Sequence, residues 1–423
     1  MRKHSQKYVY KKCITMTPIK INIPTLRSER MSYFKLLFPD HMGANLTENW
    51  VGGRIEGLKR LSNINPEGYE KSRNYLNGEV TYLSPYLRHG CISLAEAISF
   101  AKEKSSSGND KLLFEFAWRD YWRQIWYMSG DRIHSEMEAP KVELKRNPLP
   151  RLVTEANTKL ACIDHFVSSL QETGYLHNHA RMWLSSYLIH WLGVDWKVAA
   201  SWMHDLLLDG DQASNTLSWQ WVASTFGSKP YFFNQENLSK YTGNQICNTC
   251  QAVCPFKKSY EELNTSLFKP TTAPAKITSS HHSPVNFKHQ GDESVILFTD
   301  EMLSAAHLLY QREQKKIFVF DTLHYKNWSL NRIQFIADCL AEMPEVDVWI
   351  GDTLSVLNLL DCGHLETQAT PNRKIKHLLS KCHVTFFDEP AIYSEATKEK
   401  LNARGLMRFS KYWNYVGEEI LMR

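Results

Sequence analysis

The chain of 423 residues has no run of 18 or more uncharged apolar residues, so no segment reads as a membrane-spanning helix. Its basic opening, MRKHSQKYVYKK, is not followed by an apolar stretch of signal-peptide length, and a cytoplasmic protein is expected. Charge of one sign is also scarce. Fifty Lys and Arg against 45 Asp and Glu leave a net charge of +5, too small to identify a nucleic-acid partner by itself. Nine cysteines without a secretion signal argue against a disulfide framework and for reduced thiols or metal ligands. There is no fixed-period repeat, which excludes a repeat array.

What is present is an ordinary globular composition, 43% hydrophobic and 22% charged, in a chain long enough for two or three domains. Nine of the 13 tryptophans fall between Trp118 and Trp221, so the first half is indole-rich and the second is not. The plain reading of that bias is an aromatic helical core.

The hydrophobic pattern divides the chain. After an N-terminal extension (1–45), residues 46–263 repeat apolar side chains at three- and four-residue spacing, as in LLFEFAWRDYWRQIWYM and WKVAASWMHDLLL. Residues 264–290 are rich in Thr, Ser, Pro and His and read as a linker. From 291 to 423 the short apolar runs SVILFT, KIFVFD, DVWIGD and HVTFF alternate with helical stretches and end in a helical tail. The predicted fold is a mainly α-helical domain followed by a smaller α/β domain with a parallel, Rossmann-like sheet.

One stretch, DGDQASNTLSWQW (209–221), packs acid, amide and indole together. Asp209 and Asp211 could bind a metal, cap a helix or accept from hydroxyls, Asn215 can donate or accept, and Trp219 and Trp221 could stack on a flat ligand or enter a core. Spacing alone leaves these alternatives open.

In its longer form, HDLLLDGDQASNTLSWQWVAST, this stretch resembles the flavin-binding signature of the DNA photolyase and cryptochrome family. WVGGRIEGLKRL, YEKSRN, VTYLSPYLRHGCIS, FEFAWRDYWRQIWY, GYLHNHARM and VDW follow the same family in the same order, over roughly residues 48 to 240. The resemblance implies FAD. It assigns the diphosphate to the loop Val80, Thr81, Tyr82, Leu83 and Ser84, with Tyr69 in the same wall, and assigns Asn178, Arg181, Asp209, Gly210, Asp211 and Asn215 to the rest of the cofactor. Arg181 is expected to pair with Asp209. Asn215 would face the flavin N5, where an amide tolerates either protonation state, and Trp219 and Trp196 would carry electrons to it. The family's outer tryptophan should fall between Met137 and Tyr175, and no tryptophan occurs there.

The resemblance also implies a substrate. Glu115 and Trp118, three residues apart on one helical face, with Trp221 opposite, would receive a flipped-out cyclobutane pyrimidine dimer from UV-damaged DNA. Arg119 and His179 would lie on the DNA side, His179 standing where the family has an arginine. Asn178 stands where enzymes for the six-four lesion have a catalytic histidine, which favours the cyclobutane dimer. The expected activity is that of a deoxyribodipyrimidine photo-lyase, in which light drives an electron from reduced FAD into the dimer. The alternative is a cryptochrome-like blue-light receptor with a signalling partner and no repair.

ICNTCQAVCPF places Cys247, Cys250 and Cys254 at C-x2-C-x3-C-P spacing, compatible with an iron-sulfur cluster, zinc or free thiols. Resemblance to the bacterial iron-sulfur branch of the family adds Cys162, from ACID, as the fourth ligand of a 4Fe-4S cluster. Cys13, Cys91, Cys339, Cys362 and Cys382 read as core or incidental. In that family the α/β antenna domain precedes the flavin domain, so this chain resembles a circular permutation with a core in each domain. An antenna chromophore cannot be inferred from the sequence.

Overall fold

The computed structural model describes residues 17–105, 111–268, 291–405 and 408–422. Cys13 and most of the expected linker lie outside the described residues. Six strands form one sheet: β1 (Ile19–Ile21), β2 (Glu293–Phe298), β3 (Lys315–Asp321), β4 (Val346–Gly351), β5 (Cys362–Gln368) and β6 (Val384–Phe387), in the spatial order β1-β4-β3-β2-β5-β6. β2 to β6 pair in parallel and the order reverses at β2, a doubly wound arrangement. β2, β3 and β4 are almost continuously apolar because both faces are covered, with Val295, Ile317 and Phe318 wholly buried.

The predicted helical and α/β halves are both present, and the four expected apolar runs are β2, β3, β4 and β6. β5, with the sequence CGHLETQ, is too polar to show in the pattern. The N-terminal segment differs from expectation. β1 closes the sheet antiparallel to β4, with Ile19 opposite Ile350, and helix α1 (Arg27–Leu37) packs beside it, so this stretch belongs to the α/β half.

The site is positioned by five helices, α2 (Lys111–Ser129), α3 (Ala161–Thr173), α4 (Asn178–Ser186), α5 (Trp196–Leu206) and α6 (Gln212–Val222). On α2 the buried residues Leu112, Leu113, Phe116, Ala117, Tyr121, Trp122, Ile125 and Trp126 follow helical spacing and form one stripe. Two later helices matter as well: α7 (Leu330–Ala341), buried from Leu330 to Leu340, and α8 (Phe409–Met422). α7 is buried all round because it lies between the sheet and the helical half.

Several of its polar residues are accordingly paired. Asp338 accepts from Arg27, Arg30 and the Gly52 N–H, while Gln334 donates to the Met31 carbonyl. The expectation of a separate core for each domain fails here. One apolar cluster runs from Phe116, Tyr121 and Leu217 in the helical half to Phe298, Phe318 and Ile333 in the other, although each half also has a smaller cluster of its own.

Candidate functional site

The 209–211 loop leaves α5 and enters α6. Asp211 caps α6 by accepting from the Ser214 N–H at 2.7 Å, so one carboxylate ends up where the helix needs an acceptor. Gly210 has φ +26°, and a Cβ there would lie 1.9 Å from the Arg332 guanidinium. Only glycine fits. The Gly210 carbonyl accepts from Arg332 at 3.2 Å.

Both aspartates are buried and each holds a guanidinium. Arg181 donates to the two oxygens of Asp209 at 3.2 and 2.8 Å, and Arg119 donates to Asp211 at 2.8 Å. Burial opposes ionisation of Asp209, but Arg181 and the hydroxyl of Ser84 outweigh it and hold the carboxyl below its ordinary range. Asp211 is likewise held below its ordinary range against its burial, by Arg119, Arg88 and the Ser214 N–H. Both stay charged at neutral pH.

The expected pairing of Arg181 with Asp209 is present. Arg119, expected on the DNA side, pairs with Asp211, whose buried carboxylate requires a counter-charge. Ser84 reaches this cluster, and the Leu83 N–H donates to Thr81 Oγ1 at 3.4 Å within the same loop. Tyr82 is exposed with φ +51°, Val80 is half-buried, and Tyr69 is half-buried beside Arg73. Asn178 lies apart, exposed at the start of α4 with its amide against Met182 Sδ.

Asn215, one turn into α6, is buried and donates its amide to the Ala200 carbonyl at 3.1 Å. Trp219 follows on the same helix, fully buried, and Trp196 opens α5 behind its Asp195 cap. The Trp196 indole donates to Glu136 at 3.3 Å, and Glu136 is held at about 2 against its burial by Arg146 and Lys197.

The expected substrate residues are less open. Glu115 pairs with Lys111 at 2.7 Å. Trp118 is stacked on Phe409 of α8, and Trp221 is half-exposed against Tyr231. His179 packs on Trp183 and Tyr241, and burial with the nearby Arg73 charge lowers it to about 4.

Beside the 80–84 loop is a cavity of about 520 Å³ lined by Trp50, Arg60, Tyr82, Tyr175 and His177. Its rings, the Arg60 guanidinium and the Ser169 and Thr173 side chains from α3 form a set that fits an aromatic nucleotide carrying phosphate. A larger cavity of about 580 Å³ lies between the halves, where the C-terminal ends of β2 and β3 face Trp196 and His204. Sequence reasoning missed the ion pairs beneath Gly210, in which Arg88 donates to Asp300 at 2.6 Å and Arg123 to Glu301 at 2.7 Å. Arg88 lay in the motif YLRHG, but nothing marked Asp300 or Arg332.

Cys162, Cys247, Cys250 and Cys254 line one small cavity of about 40 Å³. Burial, then the neighbouring Cys247 thiol, pushes Cys162 up to about 12. Among the described residues, no three His, Cys, Asp or Glu side chains are close enough to hold a metal ion. As described, the cysteines share a cavity without closing a ligand cage.

Fold and site together define a helical unit that buries an ion-paired polar cluster suited to a nucleotide cofactor, joined to a doubly wound sheet. Residues 112–259 match the family described as the FAD binding domain of DNA photolyase. It is 32% identical over 189 residues to a deoxyribodipyrimidine photo-lyase of Streptomyces griseus, covering 44% of this chain and 39% of that one. It is 31% identical over 204 residues to a cryptochrome DASH of Xenopus laevis, covering 45% and 39%. A Synechocystis cryptochrome structure aligns with 47% of this chain and 45% of that one, at 24% identity and a TM-score of 0.43. The chain thus spans about two-fifths of the length of the curated relatives it matches.

Proposed function

We propose that this chain is an FAD-dependent, photolyase-like enzyme that uses light to reverse cyclobutane pyrimidine dimers in DNA. The observation that carries the reading is the pair of buried carboxylate–guanidinium contacts, Asp209 with Arg181 and Asp211 with Arg119, inside the segment that matches the FAD domain. When bound, FAD supplies light absorption and the electron given to the lesion. Arg181, Asp209 and Ser84 hold its polar flank, Thr81 and the 80–84 backbone its diphosphate, and Asn215, oriented by Ala200, its reactive edge. Glu115 and Trp118 receive the lesion with Trp221 as the other wall, and Trp219 and Trp196 return electrons.

Three further elements complete the proposal. Cys162, Cys247, Cys250 and Cys254 bind a 4Fe-4S cluster, a reading favoured by their shared cavity and by the C-P after the last spacing. The order of a helical flavin unit before a doubly wound sheet reflects circular permutation. Reduced thiols suit a cytoplasmic setting.

A second reading, a blue-light receptor without repair, rests on Phe409 stacked on Trp118. Anaerobic purification, an absorption spectrum, and assay of the photoreduced protein on dimer-containing single-stranded DNA separate the two. Flavin bands with light-dependent dimer loss support repair. Flavin without dimer loss supports the receptor, and no flavin sinks both. Broad visible absorption that bleaches on reduction tests the cluster.

A further inference from the structure

We infer that the first turn of α8 is a gate over the lesion pocket, with Phe409 standing where a stacked base would go; this rests on the repair reading above. The Phe409 and Trp118 rings are 3.7 Å apart and inclined by 7°, the separation and parallel geometry with which a base would stack on that indole. One face of Trp118 is therefore taken. Phe114 meets Phe409 edge-on at 4.9 Å, and Tyr121 does so at 5.4 Å, so the phenyl ring sits in an aromatic cup on α2.

The way α8 is held decides what can move. Its body is fixed, since Tyr412 donates to the buried Asp120 and Val416 and Ile420 are wholly buried. Phe409 is the first helical residue, at the end where the Lys411 and Tyr412 N–H groups both turn back to the Arg408 carbonyl. Just before it, Arg408 pairs with Glu138 at 2.5 Å, half-exposed, in a contact that solvent weakens and phosphate competes for. A DNA strand arriving at the pocket thus offers Arg408 a new partner and Trp118 a new stack. The first turn can swing out while the rest of the helix stays docked.

Hydrogen exchange on the full chain, with and without a dimer-containing single-stranded oligonucleotide in the dark, tests the gate. Binding that removes protection from the first turn of α8, with the segment around Val416 unchanged, is the expected result, and binding that leaves the first turn protected overturns it. Dark binding by fluorescence anisotropy should show Phe409→Ala and Phe409→Leu tightening by up to about tenfold relative to wild type, the leucine keeping apolar volume without a ring to stack. If wild type and both variants bind and repair alike, the gate is wrong and the repair reading stands. If none binds although all retain flavin, the repair reading fails and the gate with it.

Discussion

At the scale of single residues, Asp209 and Asp211 show how far a spacing rule reaches. Two carboxylates separated by one glycine allowed a metal, a cap or a hydroxyl acceptor. Asp211 serves as cap and ion-pair partner together, and Asp209 as ion-pair partner. The resemblance gave the partner of Asp209, but Arg119 as the partner of Asp211 was illegible, because that guanidinium comes from a distant helix. Removing one partner of a buried pair strands the other charge, so Arg181→Ala should cost about 3–5 kcal/mol and empty the site of flavin. Arg181→Lys keeps the charge but not the fork and should fall between. Denaturant titration and flavin absorbance per protein measure both, and a Lys variant as damaged as Ala would remove the geometric argument.

Histidines carry the pH dependence. Burial lowers His177, His179 and His190 to about 4, helped at His177 by His179 and Arg181 and at His179 by Arg73. The unfolded chain takes up their protons near pH 6.5 and the folded chain only near 4, so stability falls as pH drops through that window. Each contributes a slope of up to about 1.4 kcal/mol per pH unit. Unfolding free energies at pH 7.5, 6 and 5 should decline in that order, and His190→Gln should flatten the decline; a flat wild-type profile would show these rings to be protonated when folded.

At the scale of elements, periodicity was legible where an element has one dry face. α2 reads directly from FEFAWRDYWRQIWY, and β2 to β4 read as apolar runs. β5 did not, because a strand with Glu366, Thr367 and Gln368 buried in polar contacts has no apolar signature. The glycines of WVGGRIEG were legible only as a resemblance, and the structure supplies their reason. A Cβ on Gly52 would lie 2.1 Å from the Phe335 carbonyl and 2.9 Å from the Asp338 Cβ, both on α7. Neither neighbour can yield, since α7 is enclosed on every side. Gly52→Ala should therefore destabilise by about 1–3 kcal/mol or more, read as a fall in denaturation midpoint with unchanged slope, and a neutral substitution would mean that α7 can shift.

At the scale of the whole molecule, the order of the halves was legible and their independence was not. A Pro- and Ser-rich stretch between unlike patterns reads as a linker between separate cores, yet α7 and the chain start bind the halves through shared apolar packing. Part of that boundary is ionic. Arg88 reaches from the helical half to Asp300 beyond β2, Asp300 is held well below the ordinary carboxyl range despite its burial, chiefly by Arg88, and Arg123 joins Glu301 to Glu389. Arg88 also lies 3.5 Å from the Gly210 carbonyl, so the boundary and the cofactor loop share a residue.

Asp300→Ala tests that arrangement, because it removes the direct partner of the buried Arg88 guanidinium and leaves it the more distant Glu301, at 3.9 Å, and the charge of Asp211. The loss should be about 3–5 kcal/mol. Since Arg88 touches the loop that turns Asp209 towards Arg181, flavin should be released as well, although the substitution lies in the other half of the chain. Tryptophan fluorescence follows mainly the helical half, where ten of the 13 indoles lie, while far-ultraviolet circular dichroism follows both halves. A shared core requires the two transitions to coincide in wild type and to shift together in the variant. Two separated transitions, with flavin retained until the second, would mean that the halves fold on their own and that the ion pairs at their boundary only dock them.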